Sequence, residues 1–144
     1  LNDYLMFVDA SESPVGLNSL LLRYLRQVEI KIAIGDETTA ITAAAGKYTF
    51  RMPFAMTLTA IRASVTTAPT GATIVIDINE TATTILSTKL SIDVSEKTTT
   101  TAAVPAVISD ATLADDAEIT IDYDQVGSTI AGAGVKLWLI GYRT

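Results

Sequence analysis

Two runs of acidic side chains carry the residues best suited to chemistry. Asp122 and Asp124 lie two apart in EITIDYDQ, with Glu118 further along, and Asp77 and Asn79 lie two apart in IVIDINE, with Glu80 beyond. In an extended chain residues two apart share a face. If the two runs were neighbours their oxygens would converge, and Ca²⁺ takes about six to eight of them. Asp77, Asn79, Asp122 and Asp124 are therefore the candidate calcium ligands. The plainer reading is preferred: these are the outward, water-facing positions of half-buried strands, and no metal or cofactor is expected.

Other catalytic schemes find less support. Ser and Thr are plentiful, but the sequence has no His to activate them, and a hydroxyl nucleophile needs a base in reach. A Ser-x-x-Lys pairing is also missing, because Ser87-Thr88-Lys89 and Ser95-Glu96-Lys97 have the wrong spacing. A paired-carboxylate glycosidase would set two acids across a cleft lined by aromatics, yet aromatic residues make up only 6%. Gly127, Gly132 and Gly134 precede a strand-like run rather than a helix opened by Lys-Ser or Lys-Thr, so no phosphate loop is expected. No enzyme activity is expected. Trp138, the sole Trp, is the one candidate for stacking on a sugar. Its place in an apolar run favours packing in the core or at an interface.

Composition narrows the partners. The net charge is -6 with no cluster of Lys and Arg, so neither nucleic acid nor an anionic membrane surface is expected as a partner. There is no Cys, hence no disulfide or thiolate metal site. No apolar run reaches the roughly 18 residues of a membrane span, and no signal peptide is expected. The 144 residues are 49% hydrophobic but only 18% charged. That fits a single domain with a substantial core and a Thr- and Ala-rich surface that lies against neighbours.

These residues need elements to hold them, and the pattern is almost all period two. Val28, Ile30, Ile32 and Ile34 alternate with Glu29 and Lys31. Tyr48, Phe50 and Met52 alternate with Lys47, Thr49 and Arg51, while Ile74, Ile76 and Ile78 alternate with Val75, Asp77 and Asn79. Leu90, Ile92 and Val94, and later Ile119, Ile121 and Tyr123, continue the same grammar. A loop or weak strand is expected at 37–46, short strands at 84–88 and 104–108, and a turn or one helical turn within 109–117. One strand has a parity fault: Met56 and Leu58 set one phase, whereas Ile61, Ala63 and Val65 set the other. A single β-bulge near Thr59-Ala60 would restore the inward face. The last run, 135–142, is apolar on both faces: Val135, Leu137 and Leu139 on one, Trp138, Ile140 and Tyr142 on the other. One face enters the core, and the other needs cover from the N-terminal segment or another subunit.

About eight strands with turn signals and no central helix predict an all-β, antiparallel β-sandwich, jelly-roll-like. The sandwich is expected over 28–144, preceded over 1–27 by an N-terminal arm or short helix. That segment is apolar, with Pro14 and Gly16 as breakers, and Leu5, Phe7, Leu21, Leu22 and Leu25 are its candidate interface residues. They join Trp138, Ile140 and Tyr142 in the predicted interface set. The arm either covers one end of the sandwich or docks on a neighbour.

From about residue 47 to 142 the texture resembles a module of tailed-phage and prophage virion structural proteins. The likeness lies in a Phe-Arg-Met-Pro opening at 50–53, Asp-Ile-Asn-Glu at 77–80, Leu-Ser-Thr-Lys-Leu at 86–90, a Leu-Ala-Asp-Asp turn at 113–116 before a strand ending near Gln125-Val126-Gly127, and Trp-Leu-Ile-Gly-Tyr at 138–142. The resemblance implies a virion β-sandwich and carries over no catalytic residue. It implies a capsid decoration (cement) protein, made in the bacterial cytoplasm and carried on the outer surface of the head. The expected partners are the major capsid protein and other virion proteins, with a homotrimer as the expected assembly. A fibre or tail-tip module that binds host glycans, and a minor tail or baseplate protein, are the alternatives.

Overall fold

A computed structural model describes residues 27–144. The arm or short helix expected over 1–27, with Leu5, Phe7, Leu21, Leu22 and Leu25, lies outside the described residues apart from Gln27, which opens the first strand.

The described chain is all-β and antiparallel. Its strands are β1 (Gln27–Ile34), β2 (Ala44–Arg51), β3 (Met56–Ser64), β4 (Ile74–Glu80), β5 (Thr83–Thr84), β6 (Leu86–Thr88), β7 (Leu90–Ile92), β8 (Val107–Ile108), β9 (Thr112–Leu113), β10 (Glu118–Gln125) and β11 (Val135–Arg143). One sheet, here sheet A, has the order β1-β11-β3-β9. The facing sheet, sheet C, runs β2-β10-β4-β5, with β7 also paired to β4. The order follows from nested antiparallel pairs. β1 pairs with β11, β2 with β10, β3 with β9, and β4 with β7. First pairs with last and each later pair sits inside the previous one. This is the ribbon that winds into a jelly roll.

Alternation explains why these strands stack. Ile32, Ile34, Leu58, Ala63, Val135, Leu137 and Leu139 of sheet A face Ile74, Ile76, Ile78, Leu90, Ile92, Ile119, Ile121 and Tyr123 of sheet C, all buried. Fully burying an aliphatic side chain is worth about 1.5–3 kcal/mol, so this interior dominates stability.

The parity fault in β3 is a bulge. Ile140 pairs with Ala60 but Gly141 pairs with Leu58, leaving Thr59 as the extra residue. Its hydroxyl donates to the Ile140 carbonyl at 3.2 Å. Across from it, a Cβ on Gly141 would stand 2.1 Å from the Thr57 carbonyl oxygen, so only glycine fits there.

The structure refines three expectations. β2 begins at Ala44, inside the stretch expected as a loop or weak strand, and as an edge strand it leaves Tyr48 39% exposed. The 109–117 segment has its expected turn at Asp115-Asp116 and also contains β9, the sixth strand of the roll, with Leu113 fully buried. The short strands expected at 84–88 and 104–108 appear as β6 and β8, which pair with each other in a separate small sheet.

Candidate functional site

The outer face of sheet A gathers residues predicted for an interface. Side chains on β11 alternate, so with Leu137 and Leu139 fully buried, Trp138, Ile140 and Tyr142 point out and are half-buried. Register supplies their neighbours. Lys31 of β1 and Arg62 of β3 flank Trp138, while Glu29 and Ala60 flank Ile140. The Lys31 ammonium sits 5.5 Å from the centre of the Trp138 ring, within cation–π range.

The Thr-rich loop forms the far wall. Val65 N–H donates to the Lys97 carbonyl at 3.0 Å and Ala63 N–H to the Thr99 hydroxyl at 3.0 Å. Thr98 caps a single 3₁₀ turn, Thr99–Thr101, by accepting from Thr100 N–H. Between loop and strands runs a groove of about 380 Å³ lined by Glu29, Arg62, Ser64, Thr98, Thr100, Trp138 and Ile140. Its chemistry is mixed: an indole, an acid, a guanidinium and hydroxyls.

The calcium candidates do converge, on the outer face of sheet C. Asp122 pairs with Asp77 across the β10–β4 ladder, and Asn79 Nδ2 donates to Asp122 Oδ2 at 2.9 Å. Water-facing positions were expected, yet Asp77 is only 5% exposed and Asn79 9%. The reason is local. The chain after β4 folds back over it, so that the Thr84 hydroxyl donates to Asp77 Oδ1 at 2.6 Å and Lys89 Nζ lies 2.9 Å from Asp77 Oδ2. Lys89 also bonds Asp124. These two carboxylates, Asp124 first, hold the Lys89 pKa above the ordinary lysine value. Gly46 N–H takes the other Asp122 oxygen at 2.6 Å. The cationic place in this cluster is thus filled by an ammonium. Among the described residues no group of three or more acidic side chains has metal-ligating geometry.

Sequence reasoning missed a third place. At the open side of the sandwich a cavity of about 230 Å³ is bounded by Ile34, Gly35, Asp36, Thr39, Ala40, Ile41, Lys47 and Tyr123. The Tyr123 hydroxyl is buried with no hydrogen-bond partner among the described residues, and burial raises its pKa above the usual 10.0. Asp36 is fully committed to the loop, accepting from Thr39 N–H at 2.6 Å and Thr38 N–H at 2.7 Å, which lowers its pKa. No signal in the sequence separates Tyr123 from the buried Ile residues that share its face.

No family model, curated protein or solved structure matches this chain. The jelly roll accordingly rests on strand order. No helix among the described residues is long and apolar enough to cross a membrane.

Proposed function

We propose that this chain is a structural jelly roll of a phage virion, a decoration protein that binds the outer surface of the head shell through the exterior of sheet A. The observation that carries the reading is the last strand, where Trp138 and Ile140 remain half-buried on a face that the rest of the described fold does not cover. The resemblance to virion modules supplies the setting, and binding is the whole mechanism. Burying this face at joints between shell subunits would make opening the shell also expose it, so the bound state is favoured by mass action. At about 25 cal/mol per Å², a standard interface leaves several kcal/mol after the costs of association.

The test is localisation by image reconstruction of whole particles. Density for the roll on the outer head, contacting the shell through Trp138 and Ile140, is the expected result. Density confined to the tail would replace decoration with the baseplate reading, and absence from the particle would remove both.

One observation favours a second reading. An indole beside Glu29, Arg62 and the hydroxyls of Ser64, Thr98 and Thr100 is the composition of a shallow sugar site. A glycan-array signal lost on Trp138→Ala would move the function to a fibre that recognises host glycans.

A further inference from the structure

The edge of sheet A at β1 is bare among the described residues. β1 pairs with β11 alone, along its whole length and without a bulge. The neighbouring edge, β2, is built differently. Its ladder is broken between Ala44 and Tyr48, where Gly46 takes a positive φ and binds Asp122. Such irregularity keeps an edge from accepting another strand, and β1 lacks it. Glu29 and Lys31 are exposed on the outer side of β1, while Val28 and Ile30 lie half-buried toward the open side of the sandwich. Among the described residues Glu29 makes no ion pair, and Lys31 contacts the Trp138 ring.

We propose that β1 pairs antiparallel with β1 of a second copy, about a two-fold axis at Ile30. The sequence Val28-Glu29-Ile30-Lys31-Ile32 is self-complementary in that register. Glu29 of each copy lies opposite Lys31 of the other, giving two opposite-charge cross-strand pairs. On the inner side Ile30 meets Ile30, and Val28 meets Ile32. The adjacent registers fail. Moving the axis to residue 29 sets Glu29 against Glu29, and moving it to residue 31 sets Lys31 against Lys31. A slip by a half-step puts outward side chains against inward ones. The two sheets become one continuous sheet, closed by an isologous contact. The two Trp138 residues then lie on the same face, three strand spacings apart and offset by two residues along the strands, about 16 Å in all. This inference holds whether or not the chain decorates a head.

Sedimentation of the full chain tests it. A dimer is expected. E29K and K31E, both at exposed positions, should each weaken association at least about tenfold, because like charges then face each other twice. An equimolar mixture of the two variants should restore the dimer, since each pair regains opposite signs, and so should the doubly reversed E29K/K31E chain. That recovery also shows that the variants fold. A trimer, or a dimer indifferent to both reversals, overturns the proposal. A monomer throughout overturns it as well.

Discussion

The exteriors of the two sheets differ in how they treat half-buried side chains. On sheet C, Asp77, Asn79, Asp122, Asp124 and Lys89 satisfy one another, with Thr84 and the Gly46 backbone completing the set. On sheet A, Trp138, Ile140, Arg62 and Glu29 line a groove and are only partly engaged within the described fold. Both faces are read from alternating strands, so alternation does not distinguish them. The difference is that on sheet C a later segment of the same chain returns to cover the polar residues. A face completed internally should matter to folding, whereas a face left open should matter to association.

Mutations can break that contrast. The largest effect is expected at the bulge that shapes sheet A. Gly141→Ala would press a methyl group against the Thr57 carbonyl, and a cost of about 3 kcal/mol is expected by chemical denaturation. Thr59→Ala, which loses only a hydroxyl contact, should cost far less. On sheet C, Asp77→Ala strands the Thr84 hydroxyl and removes one partner of Lys89. A loss of about 2 kcal/mol is expected, below the full penalty for a buried pair because Lys89 is 40% exposed. If Asp77→Ala melts like wild type, the network is ornamental and the contrast fails.

Alkali provides a graded test. Lys89 and Tyr123 both have raised pKa values in the fold. Each therefore contributes stability that is present below its unfolded pKa, 10.5 for Lys89 and 10.0 for Tyr123, and is lost as pH climbs through the folded value. Melting should fall steeply above pH 10. Tyr123→Phe should blunt that fall, and at neutral pH it should be neutral or up to about 1 kcal/mol stabilising, because the hydroxyl it removes has no partner among the described residues. A marked loss at neutral pH would mean that the hydroxyl is bonded after all.

Trp138→Ala sharpens the other arm of the comparison. Only about 1 kcal/mol of fold stability should go, while binding to shells should be lost. A large drop in melting with binding intact would reverse the assignment of this face. The smallest effect belongs to EDTA, which should leave melting unchanged because Lys89 sits where a cation would. A large drop would return calcium to Asp122 and Asp124.

Much of this was legible in the sequence for local reasons. The phase change between Leu58 and Ile61 located the bulge, since period-two alternation cannot change phase without an extra residue. The doubly apolar 135–142 run identified the outer face of sheet A. What the sequence concealed depends on contacts between distant residues. Asp77 reads as water-facing until Thr84 and Lys89 fold back onto it. β9 is two residues long, too short for any period, and is a strand only because β3 offers it an edge. Tyr123 looks like any inward residue of its run, and its unpartnered hydroxyl emerges only when the opposite sheet is in place.

The pairing of β1 with β11 also sets the order of events during synthesis. Gln27 lies beside Tyr142, so the first of the described strands must wait for the last of them. Until β11 is released, β1 has neither edge occupied by another described strand, and a pairing this remote in sequence is slow to close. Nascent chains translated side by side from one message would therefore present bare β1 strands to one another, and that interval is when a chaperone would be needed most.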